Sequence, residues 1–228
     1  MKILLIRGAP RDNGATNIFA DAFVQGAKKF AQIDDINVCK KNISACRGCY
    51  ACVKSANAKC VIDDDMQKLL QLFETCNAVV FFTPVYFYGM SSQLKMFFDR
   101  CFPIIAKRNT PLGNPEKLSK SMLTFSVASN RLWAFDAITK NFEMIATELG
   151  MSLSANIRRT EAVYFSELGN SSIRIKKILS ATTTAGEEFA KNLVISKETL
   201  NTIELPIALS DKIFKQRSIA YWGGIKNK

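Results

Sequence analysis

Ala78-Val79-Val80-Phe81-Phe82-Thr83-Pro84 is the stretch that decides the fold. It is apolar, β-branched or aromatic up to Thr83, with no polar alternation. A strand of this kind is covered on both faces, as in parallel sheets whose crossovers place helices on either side. The same logic extends outward. Ile3 to Arg7 reads as a buried strand closing in the turn Gly8-Ala9-Pro10. Thr16 to Gln32 carries apolar residues at helical spacing, with Thr16 as N-cap. Ile36 to Lys40 suits a second strand. Asp63, Asp64 and Asp65 open a helix to about Cys76, an acidic cap facing the helix dipole. Ser91 to Phe102 is predicted helical, Asn109 to Lys117 a loop, and Met122 to Ala128 a fourth strand. Ala134 to Gly150 is a helix, Ser152 to Arg158 a fifth strand, and Ser172 to Val194 mostly helix.

Strands alternating with helices make a doubly wound α/β domain in three α/β/α layers. Five strands suit the flavodoxin-like order 2-1-3-4-5, which reverses between strands one and three. The crevice outside their carboxyl ends is the expected ligand site. The domain is assigned to residues 1–194, with a cysteine loop at 42–63. Residues 195–228 read as a C-terminal extension, irregular because of Pro206 and Trp222-Gly223-Gly224.

Composition narrows the chemistry. The 228 residues include no histidine, which excludes a Ser-His-Asp triad and a Cys-His pair and points to chemistry carried by a cofactor. The net charge of +11 is spread without a block. It reads as a solvated basic surface that favours anionic ligands, and no nucleic-acid motif accompanies it. No apolar run reaches membrane-spanning length, and the start is too soon charged for a signal peptide, so a cytoplasmic protein with reduced thiols is expected.

Two segments fall at the carboxyl ends of the strands. Gly8 to Asn17 is a small-residue turn running from strand to helix. Its backbone N–H groups and the helix terminus suit a phosphate, with Arg11, Thr16 and Asn17 as side-chain donors. It matches neither G-x-x-x-x-G-K-[ST] nor G-x-G-x-x-G, and an ordinary strand–helix turn is the alternative. The second segment is Thr83 to Lys95, where Pro84 and Val85 lead into Tyr86, Phe87, Tyr88 and Gly89. Its flat apolar walls suit a planar ring such as isoalloxazine; the alternative is plain packing.

Cys46, Cys49, Cys52 and Cys60 are spaced C-x2-C-x2-C-x7-C. Four thiolates are what a [4Fe–4S] cluster needs, although Val61 stands where ferredoxins carry proline. Structural zinc and free thiols are the other two readings. Cys39, Cys76 and Cys101 read as core.

Gly8-Ala9-Pro10-Arg11 with Gly14 and Thr16, Cys49-Tyr50-Ala51-Cys52, Cys60 to Met66, Thr83-Pro84-Val85-Tyr86 through Gln93-Leu94-Lys95, and Asp99-Arg100 together resemble the NADPH-dependent FMN reductase superfamily. The four loop cysteines are most similar to its iron–sulfur flavoprotein branch. The resemblance implies FMN with its phosphate on Arg11, Asn13, Thr16 and Asn17. The ring would lie against Pro84 to Gly89, with contacts from Ser126 to Asn130. It also implies an oxidoreductase fed by NAD(P)H or a ferredoxin-like donor, passing electrons to a small planar or protein acceptor, and a homodimer or homotetramer. A non-catalytic flavin electron carrier or redox sensor is the alternative. The chain departs from the family pattern at Ala9, where a serine hydroxyl is usual, and at Val127-Ala128-Ser129-Asn130, which is not glycine-rich.

Overall fold

The computed structural model describes residues 1–109, 120–129, 132–167, 172–208 and 210–226. Five parallel strands, β1 (Lys2–Arg7), β2 (Gln32–Asn37), β3 (Ala78–Pro84), β4 (Ser121–Val127) and β5 (Ser152–Arg159), form one sheet in the order β2-β1-β3-β4-β5. The order reverses between β1 and β3, as the sequence predicts. Leu5 pairs with Asp35 on one side and Val80 on the other, and Phe82 lies between Arg7 and Phe125.

Every residue of β3 is buried. Alternate side chains serve two separate cores. Ala78, Val80 and Phe82 join Ile3, Leu5, Leu123 and Phe125 on one face. Val79 and Phe81 join Leu4, Ile6 and Met122 on the other. Phenylalanines dominate both: Phe125 stacks on Phe82 at 5.0 Å and on Phe19 at 5.1 Å, while Phe81 meets Phe98 at 4.7 Å. Each buried ring of this size contributes roughly 1.5–3 kcal/mol through removal from water.

The first face is covered by α1 (Ala15–Ala27), followed late in the chain by α7 (Val163–Glu167), α8 (Ile173–Asn192), α9 (Lys197–Ile203) and α10 (Asp211–Lys226). The second is covered by α3 (Met66–Thr75), α4 (Ser92–Asp99), α5 (Phe102–Asn109) and α6 (Asp136–Glu148), with the short α2 (Ala51–Lys54) in the cysteine loop. Helices α1 and α8 cross with their backbones in contact. A Cβ on Gly26 would lie 1.9 Å from the Thr183 carbonyl oxygen, and one on Gly186 2.1 Å from that of Phe23. Only glycine permits that crossing.

Four local readings shift. β2 spans Gln32–Asn37 rather than Ile36 to Lys40. It is a half-exposed edge strand, and its acidic residues are structural: Asp35 accepts from Arg7 Nε and Nη2 at 2.7 and 2.6 Å, and Asp34 pairs with Lys2 at 3.1 Å, while Arg7 Nη1 donates to Asp21 of α1 at 2.6 Å. Val38–Lys40 is a 3₁₀ turn instead, capped by Asn37 Oδ1, which accepts from the Cys39 N–H at 3.0 Å. α1 begins at Ala15 behind an extended Gly14, so Thr16 sits inside the first turn. The predicted helix from Ser91 to Phe102 is two helices broken at Arg100-Cys101. The tail is helical, not irregular. Pro206 lies between α9 and α10, and Gly223 and Gly224 ride within α10. Glycine costs a helix interior only about 1 kcal/mol relative to alanine, so tertiary packing overrides it.

Among the described residues no helix is long and apolar enough to cross a membrane.

Candidate functional site

The carboxyl ends of β1, β3 and β4 open on a cavity of about 310 Å³. Arg11, Ala15 and Thr16 line it from the turn after β1 and the start of α1. Pro84, Val85 and Tyr86 line it from the end of β3, and Val127, Ala128 and Ser129 from the end of β4. The turn is stiff. The Gly14 N–H donates to the Arg11 carbonyl at 3.1 Å, and Asn17 Nδ2 donates to the same oxygen at 2.8 Å. Thr16 and Asn17 are buried at the N-terminus of a helix whose first turn holds no acidic residue, which leaves its positive end available to an anion.

After Val85 the chain makes a tight hairpin. The Tyr86 N–H donates to the Gly89 carbonyl at 2.9 Å, and the Gly89 N–H donates back to Tyr86 at 3.0 Å. Phe87 and Tyr88, the two central residues, have φ of 46° and 64°. Both lie in the left-handed region that a type I′ turn demands and that side chains disfavour. Phe87 is fully exposed, and the Tyr88 ring leans on Trp133 at 5.7 Å between centroids.

The predicted ligand set divides accordingly. Arg11, Thr16, Pro84, Val85 and Tyr86 line the cavity. Asn13 is exposed on the turn, and Asn17 holds that turn through Nδ2 while its buried Oδ1 has no partner among the described residues. Phe87, Tyr88 and Gly89 form the hairpin beside the cavity rather than its lining. Ser126 is fully buried within β4, and its hydroxyl has no partner among the described residues. Asn130 lies outside the described residues.

The remaining wall comes from Ala162 after β5 and from α10, through Phe214, Ser218, Tyr221 and Trp222. Sequence reasoning missed it. The signal was present as an i, i+4, i+7, i+8 stripe, obscured by the glycine pair that follows.

A second cavity, of about 180 Å³, is lined by all four loop cysteines, with Tyr50, Asp99, Arg100 and Phe102. It shares no lining residue with the first. Cys46 and Cys49 are exposed, and Cys52 and Cys60 half-buried. Burial pushes the Cys52 thiol up, and the negative charge that Cys60 and Cys46 can carry pushes it further. Thiols that repel one another as thiolates are the donors a cationic iron centre would satisfy. The set therefore fits a cluster in ligand type and number. Among the described residues, however, no three Cys, Asp or Glu side chains are already drawn in to metal-ligand spacing.

A buried ion pair anchors this loop. Arg100 and Asp64 are 1% and 2% exposed. Arg100 Nη1 donates to Asp64 Oδ2 at 2.7 Å and Nη2 to Oδ1 at 3.0 Å, while Nη1 also donates to the Ser44 carbonyl at 2.8 Å. Asp64 accepts in turn from the Ser44 N–H at 2.8 Å and the Met66 N–H at 3.1 Å. Both ends of the cysteine loop are thus tied to one charge pair. The acidic cluster predicted as a helix cap does cap α3 through Asp64, but its larger role is this clamp. Burial opposes the Asp64 carboxylate, yet the bonds from Arg100, Ser44 and Met66 outweigh it and hold its pKa below the usual carboxylate range. Burial likewise opposes the Arg100 charge, and Asp64 and Cys60 more than restore it.

A parallel sheet in this order, with its cavity at the reversal of strand order, defines a flavodoxin-like fold. The profile of the NADPH-dependent FMN reductase family matches residues 1–153, and the chain belongs to that family. It is 34% identical over 104 residues to an iron–sulfur flavoprotein of Archaeoglobus fulgidus, an alignment covering 45% of this chain and 46% of that one. It is 33% identical over 105 residues to an iron–sulfur flavoprotein of Methanocaldococcus jannaschii, covering 46% and 53%. The chain thus spans about half the length of these curated relatives. The fold is also that of an FMN-dependent NADH-azoreductase of Bacillus anthracis solved with FMN, with a TM-score of 0.60 at 19% identity over 85% of this chain and 99% of that one.

Proposed function

We propose that the protein is an FMN-dependent oxidoreductase that takes electrons from NAD(P)H or a ferredoxin-like donor and passes them to a small planar or protein acceptor. The observation that carries this reading is the cavity at the reversal of strand order, lined by Arg11 and Thr16 from the turn after β1 and by Tyr86 from the end of β3. Membership of the reductase family supports it. Arg11 and the first turn of α1 would bind the phosphate, and Pro84, Val85 and Tyr86 would hold the ring. Bound FMN supplies two-electron uptake with single-electron release. The protein's part is position and electrostatics, and no side-chain nucleophile is required.

The cysteine cavity extends the proposal. Cys46, Cys49, Cys52 and Cys60 would ligate a [4Fe–4S] cluster, with the Arg100–Asp64 clamp holding the loop. Relatives named iron–sulfur flavoprotein support this. Assembly as a homodimer or homotetramer, residues 1–194 as the FMN-binding domain and a cytoplasmic location belong to the same proposal.

The test is anaerobic purification followed by absorption spectroscopy, iron analysis and NAD(P)H turnover. Flavin peaks with a cluster shoulder, about four iron per chain and nicotinamide oxidation are expected. Arg11→Ala should weaken FMN binding by about tenfold or more, through loss of a charge-assisted phosphate bond, and leave riboflavin binding nearly unchanged. Bound flavin without nicotinamide turnover would instead make the protein an electron carrier or redox sensor. Folded protein that refuses FMN would overturn the proposal.

A further inference from the structure

Helix α10 lies beyond the residues that the family profile matches, yet it forms one wall of the cavity at the strand ends. Its inward stripe is Phe214, Ser218, Tyr221 and Trp222, at helical spacing. Phe214 and Tyr221 pack partly against the core of the α1 face. Trp222 stands edge-on to Tyr221 at 5.5 Å and remains 56% exposed, so its ring is not consumed by the core. Between these apolar residues the Ser218 hydroxyl is buried, and it has no hydrogen-bond partner among the described residues.

The helix is held in place from the rim of the sheet. Arg159 and Glu161, at the end of β5, are fully buried and paired at 3.2 Å. Arg159 Nη1 donates to the carbonyls of Ile203 and Leu205 at 2.6 and 2.7 Å. The Glu161 carboxylate accepts from the N–H groups of Ile207 and Ala208 at 2.5 and 3.2 Å. Glu161 itself adopts φ of 58°, a conformation kept only where its surroundings enforce it. The linker into α10 is thereby clipped to the strand end, and Arg217 lies over the Tyr164 ring at 5.2 Å. The cost of burying these two charges is offset by their mutual pairing and by the backbone bonds to the linker.

We propose that α10 is a specificity wall: Tyr221 and Trp222 cover the bound isoalloxazine from within the same chain and admit only thin planar molecules beside it. This rests on the flavin reading above. A cavity of about 310 Å³ lies at the lower end of the ligand-pocket range of roughly 300–1,000 Å³, so with the wall in place little room is left beside a bound planar ring. The Ser218 hydroxyl, otherwise unpaired, donates to a polar atom of the occupant. Small single-ring quinone-like acceptors are therefore admitted beside the ring, and larger acceptors are excluded.

The test uses the full chain carrying Trp222→Ala, and separately Tyr221→Leu with Trp222→Ala. FMN affinity and iodide quenching of bound-flavin fluorescence are read first. Loss of one aromatic stacking contact should weaken FMN binding by about tenfold, and quenching should rise about as much. Turnover of a bulky naphthoquinone relative to benzoquinone should rise in both variants. The proposal is overturned if affinity, quenching and acceptor preference all stay within about twofold. Wild-type protein that binds FMN in an Arg11-dependent way but is indifferent to Tyr221 and Trp222 sinks the wall alone. Wild-type protein that binds no FMN sinks the flavin reading and the wall with it.

Discussion

Asp64→Asn takes the charge out of the clamp beneath the cysteine loop and leaves Arg100 ionised in a site where it is 1% exposed. The substitution preserves volume, so the effect is electrostatic. Two short bonds from Arg100 lose their charged acceptor, and Ser44 and Met66 lose the carboxylate that receives their N–H groups. Breaking a buried ion pair by removing one partner costs about 3–5 kcal/mol. The whole domain is expected to be stable by about 5–15 kcal/mol, so this is a large share. At roughly 2–4 °C per kcal/mol for a domain of this size, the melting temperature should fall by about 6–20 °C. The pH dependence follows from the direction of the Asp64 shift. Its folded pKa is depressed, so the stabilisation is complete above the unfolded value near 3.9 and is lost as pH falls through the lower folded value. Thermal melts of apo-protein at pH 7 and near pH 3 measure both effects, with the gap between wild type and variant wide at pH 7 and narrowed in acid. Iron retained after anaerobic reconstitution should fall in parallel, because both loop ends are released. A gap below about 1 kcal/mol at pH 7, or one that does not narrow in acid, would refute the clamp.

Three further outcomes are expected. Gly186→Ala drives a methyl group into the Phe23 carbonyl across the α1–α8 crossing, and urea denaturation should show a loss of about 1–3 kcal/mol, whereas Gly223→Ala, with open space around it, should cost nothing. Phe87→Gly relieves a left-handed residue whose exposed ring makes no core contact, and the melting midpoint should rise by the equivalent of about 1 kcal/mol. In metal-free native protein the exposed thiols of Cys46 and Cys49 should react quickly with an aromatic disulfide, while Cys76 and Cys101, buried and raised in pKa by that burial, should react only on unfolding.

The strand β3 was legible because burial on both faces requires apolar residues at every position, and Ala78 to Thr83 carry them. From it the alternation of elements, the parallel sheet and the position of the crevice follow, since right-handed crossovers leave few other arrangements. The turn after β1, the aromatic hairpin and the cysteine spacing are local, so their placement at the strand ends and in one loop could be read from consecutive residues. The edge strand β2 was displaced in that reading because its Asp34 and Asp35 look like loop until Lys2 is seen to pair with the first and Arg7 with the second from the neighbouring strand.

What the linear chain alone determined was therefore everything governed by period and by neighbours in sequence: the layer order, the crevice and the kinds of donor placed near it. Only the tertiary structure decided which residues meet across distance. It paired Asp64 with Arg100, brought Gly26 against α8, and laid a stripe from α10 over a cavity built by residues 11 to 129. Such pairings carry no periodic signature, because a buried charge or a close backbone crossing is satisfied by one partner at any distance along the chain.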